Sequence, residues 1–132
     1  MKKLFFVFGL TTLLFFTACK ENSTAQEVTV ISPEEVYNAV RDSGNLQLID
    51  VRTKEEYGED HLETAQNICV TDDDFREKVA KLNKDEPVYL YCRSGKRSAK
   101  AAQIMKEMGF KEIYDMEGGF LNWDSQGLQD KN

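Results

Sequence analysis

The 132-residue chain predicts an α/β fold in three layers, a central parallel sheet of about five short strands with helices on both faces. Two observations carry that expectation. From Val28 onward, short apolar runs alternate with segments patterned as amphipathic helices. The run from Leu46 to Val51 is also nearly continuous in apolar character, as in a strand covered on both faces. Strands alternating with helices imply right-handed crossovers, which leave the strands parallel.

Each element has a local cause. Thr29 to Ile31 reads as a first strand. Ser32-Pro33-Glu34-Glu35 then supplies an N-cap, a proline at the first helical position and a reciprocal glutamate, so a helix carries Val36, Ala39 and Val40 inward until Gly44 closes it. Leu46 to Val51 forms the second strand, and Thr53-Lys54-Glu55-Glu56 repeats the capping box for a short helix through Tyr57. Ala65 to Val70 is a third strand. Thr71-Asp72-Asp73-Asp74 opens a helix whose inward face is Phe75, Val79 and Leu82, and the three acids are read as first-turn capping against the helix dipole, not as a metal cluster. Pro87 leads into a fourth strand, Val88 to Tyr91, the most apolar and hence expected at the centre. Ser98 to Met108 is a helix with Ala101, Ala102, Ile104, Met105 and Met108 facing the core and Gly109 at its C-terminal cap. Ile113 to Asp115 makes a fifth strand, and Gly118-Gly119-Phe120-Leu121-Asn122-Trp123 enters a last helical turn.

The N-terminus predicts a location. Lys2 and Lys3 precede an apolar run from Leu4 to Phe16, too short for a transmembrane helix of roughly 20 residues. This is a signal peptide, residues 1–18, and its end, Phe16-Thr17-Ala18-Cys19, resembles a bacterial lipobox in which Cys19 is the lipidated first residue. An ordinary secretory signal cut near Ala18 is the alternative. Residues 19–27 form a polar tether, 28–128 the domain and 129–132 a tail. The expected place is the bacterial cell envelope, lipid-anchored and outside the cytoplasm, either periplasm-facing or on the outer membrane.

Composition narrows the partners. A net charge of −6, with basic residues scattered except between 92 and 98, argues against nucleic acid. Cysteines at 19, 69 and 92 form no C-x-x-C pair and His61 is the only histidine, so no zinc site, other metal or cofactor is expected.

The strand Tyr89-Leu90-Tyr91 ends on Cys92 and turns through Arg93-Ser94-Gly95-Lys96-Arg97-Ser98 into a helix. In parallel α/β sheets, ligands bind beyond the carboxyl ends of the strands. A thiol there faces unpaired backbone N–H groups and the positive end of a helix dipole, both of which favour thiolate. An unperturbed cysteine is only about 3% thiolate at pH 7, and roughly two units of pKa depression, about 2.7 kcal/mol, corrects that. The helix terminus supplies up to about 2 kcal/mol, and loop N–H groups with Lys96 and Arg97 supply the rest. Gly95 permits the tight loop and leaves its concavity open.

The chain resembles the rhodanese, or sulfurtransferase, homology domain over Val28 to Leu128. The matching segments are Ile49-Asp50-Val51-Arg52-Thr53-Lys54-Glu55-Glu56-Tyr57, His61-Leu62, Ala65-Gln66-Asn67-Ile68, the Tyr91 to Ser98 loop with Ala99, Ala101 and Ala102, and Glu117-Gly118-Gly119-Phe120-Leu121-Asn122-Trp123. The resemblance implies that Cys92 accepts a sulfane sulfur from thiosulfate or a similar small anionic donor and delivers it from a persulfide to cyanide or a thiol acceptor. Arg93, Lys96 and Arg97 would form an electropositive lining, and the backbone of Ser94 to Ser98 a cradle. Related phosphatases and arsenate reductases use C-x5-R around a tetrahedral oxyanion; Cys92 to Arg97 is C-x4-R, one residue shorter and better suited to a single outer sulfur. A non-catalytic persulfide-sensing or protein-binding module is a further alternative. A monomer is expected.

Other residues divide between two readings. Asp50 and Arg52 end the second strand on the same edge as Cys92 and are read as a structural ion pair near the site. His61 could form a dyad with the thiol but is read as structural. Cys69 could resolve an oxidised Cys92 but is read as a small buried hydrophobe. Phe120 and Trp123 could line the pocket mouth but are read as packing a terminal helix.

Overall fold

The computed structural model describes residues 27–129. The signal peptide, Cys19 and the tether up to Gln26 lie outside the described residues, as does the end of the tail. Strands β1 (Val28–Ile31), β2 (Gln47–Asp50), β3 (Gln66–Asn67), β4 (Val88–Tyr91) and β5 (Ile113–Met116) form one sheet, ordered β1-β5-β4-β2-β3 with every pair parallel. Helices α1 (Pro33–Asp42), α2 (Lys54–Glu59), α3 (Phe75–Val79), α4 (Lys96–Glu107) and α5 (Gly119–Ser125) fall between and after the strands. The α/β class, the parallel sheet and the central place of β4 are as the sequence predicts.

Alternation along the strands sends side chains to two cores. Ile49, Val88, Leu90 and Ile113 pack with Phe75 and Val79 of α3 and with Ala101, Ala102 and Met105 of α4. Leu48, Tyr91 and Met116 face the other way, against Val36 of α1 and Trp123 of α5. Ala101 and Ala102 of α4 are almost fully buried, so the helix lies close to the sheet and its N-terminus is brought up to the end of β4. No helix of the described residues is long and apolar enough to cross a membrane.

Local chemistry explains the boundaries. Ser32 and Thr53 both form complete capping boxes, with Glu35 and Glu56 reaching back to the cap N–H groups. Helix α4 ends as a Schellman motif: Gly109, at φ +95°, donates to Lys106 O and Phe110 donates to Met105 O. Four details differ from expectation. Helix α1 is closed at Ser43, whose N–H bonds Ala39 O, and Gly44 has no positive φ. The three aspartates precede α3, in a turn; Asp74 at the cap position makes no capping bond because its carboxylate pairs with Lys78 at 3.1 Å. Strand β3 is short because only Gln66 and Asn67 keep the ladder, although Ile68 N–H still bonds Asp50 O. Helix α4 begins at Lys96, two residues before Ser98, so the loop after Cys92 is shorter than the sequence suggests.

Candidate active site

Cys92 is the first residue beyond β4, and the chain reaches α4 after only Arg93, Ser94 and Gly95. Gly95, at φ +108°, makes the turn that no side chain there would adopt cheaply. Its N–H donates to Cys92 Sγ at 3.1 Å. Burial alone would push the thiol up, but the Ser98 hydroxyl and the N–H groups of Ser98, Gly95 and Ser94 outweigh it, leaving Cys92 below its ordinary pKa. Ser98 stands in the first turn of α4, where backbone N–H groups have no helical partner, so the donors come from the orphaned start of that helix.

The back of the loop is held by α5. Phe120 N–H donates to Cys92 O at 2.8 Å and Leu121 N–H to Arg93 O at 3.1 Å. These are orphan donors of α5, and capturing the loop carbonyls turns those oxygens away from the sulfur. The approach requires Gly119: at φ +61°, a Cβ there would stand 2.5 Å from Cys92 O and 2.6 Å from Arg93 O. Gly119 is thus a positioning residue, and the paired glycines after β5 are its signal in the sequence.

The loop cations separate into two kinds. Arg97 is committed to Glu56, with Nη1 to Oε2 at 2.6 Å and Nη2 to Oε1 at 2.8 Å. That bond and the capping contacts from Thr53 hold the Glu56 carboxyl at about 2. Arg93 and Lys96 are exposed, and neither has an ion pair among the described residues. A cleft of about 210 Å³ beside the loop is lined by Arg93, Glu56, Phe120 and Leu121. A second cleft, of about 220 Å³, lies against Leu48, Leu62 and Trp123 and includes none of the loop residues.

Asp50 and Arg52 lie side by side beneath this edge, nearly sealed from water. Arg52 Nη2 reaches Asp50 Oδ2 at 2.7 Å and Asp60 O at 2.6 Å, and its guanidinium lies 4.5 Å over the Phe120 ring. The pair therefore ties β2, the end of α2 and the start of α5 together. Its hydrogen bonds and ring contacts account for its buried charge without substrate.

His61 stacks on Tyr57 with centroids 3.7 Å apart, and its Nδ1 lies 2.8 Å from Tyr57 O; no hydrogen bond joins it to Cys92 among the described residues. Cys69 lies beyond β3, with its Sγ 3.1 Å from Thr71 Oγ1. Strand β2 runs between β3 and β4, and Cys69 and Cys92 are both free thiols in the structure. Trp123 is in the core, tilted against Tyr37, whereas Phe120 reaches the cleft. Among the described residues, no group of three or more His, Cys, Asp or Glu is arranged to hold a metal ion.

The Rhodanese-like domain family matches residues 32–126. The thiosulfate sulfurtransferase GlpE of Coxiella burnetii is 34% identical over 93 residues, covering 70% of this chain and 84% of that protein. The uncharacterized protein YqhL of Bacillus subtilis is 40% identical over 77 residues, but the chain spans only 60% of its length. It spans 26% of the probable adenylyltransferase/sulfurtransferase MoeZ of Mycobacterium tuberculosis, at 34% identity. A crystal structure of a rhodanese-like domain protein from Staphylococcus aureus superposes with a TM-score of 0.65 at 30% identity, covering 72% of this chain and 90% of that one.

Two outcomes are expected from the loop's supports. Gly119→Ala combines an unfavourable φ with a backbone clash and should destabilise by more than about 2 kcal/mol, while Gly127→Ala, at φ +59° with open space, should lose only about 1 kcal/mol. Urea unfolding compares the two, and only Gly119→Ala should also slow alkylation of Cys92. Because the Glu56 carboxyl is depressed to about 2 from 4.5, its pairing stabilises the fold fully above pH 4.5 and is lost as pH falls toward 2. Glu56→Gln should therefore be less stable than the native chain at neutral pH, with the gap in urea midpoint closing across that window.

Proposed function

Because this chain belongs to the rhodanese-like domain family, we propose that it is a sulfurtransferase in which Cys92 carries a sulfane sulfur from a thiosulfate-like anion to cyanide or a thiol. The observation that carries the proposal is a thiol at the start of α4 whose acidity is raised by loop N–H groups against the opposing effect of burial. Arg93 and Lys96, unpaired and exposed, draw the anionic donor to the loop. The thiolate attacks the outer sulfur of the donor, the bond between the donor's two sulfurs breaks, and sulfite leaves with the electron pair. The new persulfide carries its charge on the terminal sulfur, where the N–H groups of Ser94, Gly95 and Ser98 can take it up. An acceptor nucleophile then attacks that terminal sulfur, and the cysteine departs as thiolate. Ser94, Gly95 and Ser98 thus act through backbone donors, while Arg97, held by Glu56, stiffens the loop.

Cys92 is 1% exposed, which leaves room at the sulfur only for the end of a slender reactant. That burial also favours a second reading, a persulfide-holding or protein-binding module that turns over slowly. Mass spectrometry after incubation with a panel of donors separates them. Enzyme should show an adduct of about 32 Da on Cys92 that cyanide removes within seconds to minutes; a stable adduct with negligible turnover identifies the sensing module. Cys92→Ser should lower thiosulfate:cyanide transfer by roughly a thousandfold or more while leaving the unfolding curve intact, and retained turnover would refute the assignment of the carrier.

We also place the domain outside the cytoplasm on a lipid anchor at Cys19, a proposal supported by the Lys2 to Cys19 sequence. Growth of a bacterial host with a labelled fatty acid should mark the full chain, and Cys19→Ser should abolish the label.

A further inference from the structure

The cleft beside the loop holds uncommitted charge of both signs. Glu56, Glu59 and Asp60 at the end of α2 line it, together with Arg52, Arg93 of the loop, and Phe120 and Leu121 of α5. Glu56 and Arg52 are already paired, with Arg97 and Asp50. Glu59 and Arg93 are exposed and, among the described residues, form no hydrogen bond or ion pair with each other or with any other side chain. The Asp60 carboxylate accepts from neutral donors, His61 N–H at 2.8 Å and Gln129 Nε2 at 3.2 Å, which leaves its charge unbalanced. Leu121, 48% exposed, is one of two large apolar side chains exposed among the described residues, and with Phe120 it gives the cleft an apolar side. At about 210 Å³ the cleft is smaller than the roughly 300–1,000 Å³ of sites for drug-sized ligands, so it suits a reactant of few atoms.

We propose that this cleft seats the sulfur acceptor and selects an α-aminothiol, a small molecule carrying an ammonium, a carboxylate and a thiol on one short carbon skeleton. The inference rests on Cys92 carrying the sulfur. The ammonium meets Glu59 and Asp60, the carboxylate meets the guanidinium fork of Arg93, and the methylene lies on Phe120 and Leu121. Arg93 directly follows Cys92, and Phe120 N–H holds Cys92 O at 2.8 Å, so two of the lining residues border the carrier. The acceptor thiol gives its proton to solvent. Its thiolate then bonds to the terminal sulfur of the persulfide as the bond from that sulfur to Sγ breaks, and Sγ keeps the electron pair. The products are the acceptor's persulfide and the Cys92 thiolate, with no net oxidation. Arg93 serves twice, for the anionic donor before sulfite leaves and for the acceptor carboxylate afterwards. Cyanide offers nothing to Glu59 or Asp60, and an acceptor with a carboxylate alone meets their repulsion.

The test isolates the acceptor step. The full chain is loaded to completion with thiosulfate, freed of donor, and mixed with L-cysteine, cysteamine, which lacks the carboxylate, 3-mercaptopropionate, which lacks the ammonium, or cyanide. Loss of the adduct of about 32 Da on Cys92 is timed by mass spectrometry. Each acceptor is compared only with itself across variants, which removes differences in thiol acidity. Glu59→Gln should slow discharge by L-cysteine and by cysteamine about fivefold and leave 3-mercaptopropionate and cyanide no slower. Arg93→Gln should slow L-cysteine and 3-mercaptopropionate by a similar factor and leave cysteamine no slower. L-cysteine alone should lose in both variants. Glu55→Gln, on α2 but outside the cleft lining, should change none of the four rates. Discharge by L-cysteine that is unchanged in Glu59→Gln or in Arg93→Gln overturns the proposal, and so does equal slowing by Glu55→Gln, since that would be charge acting at a distance. In those cases an adduct that cyanide still removes leaves the sulfurtransferase reading in place. Absence of any adduct on Cys92 overturns that reading and this inference with it.

Discussion

Two helix starts meet at the loop after β4, and the site depends on how their unsatisfied N–H groups are shared. Those of α5 take the carbonyl oxygens of Cys92 and Arg93. Those of α4 and of Ser94 and Gly95 are left for the sulfur. If the carbonyls were free, the same short loop could turn an oxygen inward, and a thiolate would meet partial negative charge where it now meets donors. The whole arrangement needs backbone at backbone distance, which is why Gly119 has no tolerable replacement on steric grounds. The first physical requirement of the site is thus met at a residue that touches no reactant.

Burial and hydrogen bonding oppose each other at Cys92, and the balance depends on the number of donors. Removing a thiolate from water raises its pKa by an amount that one neutral hydrogen bond, about 1 kcal/mol, does not offset. A charged acceptor strengthens each bond to about 1.5–3 kcal/mol, and four contributions act here. Glu56 links this balance to the rest of the domain. Its Oε2 accepts from Thr53 N–H and Oγ1 and also from Arg97, so one carboxylate closes the capping box of α2 and clamps the first turn of α4. Loss of that carboxylate would loosen two helix starts together.

Much of this was legible in sequence, because short-range chemistry wrote it there. The Ser32 and Thr53 capping boxes, the Schellman end at Gly109 and the central place of β4 each follow from a few neighbouring residues. The same holds for Cys92 at a helix start. What the sequence did not disclose lies between distant segments. Arg97 reads as a free cation until α2 is seen to place Glu56 against it, 41 positions away. The aspartate run misled because its composition suits a first helical turn, whereas Asp72 O accepts from Phe75 N–H and folds the acids into a turn ahead of α3.

The commitment of Arg97 also bears on the kind of anion the loop can serve. A phosphoryl group in flight spreads charge over three equatorial oxygens and is best held by a planar guanidinium fork. Here both outer nitrogens of Arg97 face Glu56, at 2.6 Å and 2.8 Å, so an incoming oxyanion would have to break a charge-assisted pair before it gained the fork. A terminal sulfur makes no such demand. Its charge sits on one atom, and the N–H groups already gathered at Cys92 suffice to hold it. With the thiol 1% exposed, one added atom is also easier to admit than a tetrahedral group. Charge and space at this loop therefore suit the single sulfur proposed as its cargo better than a tetrahedral oxyanion.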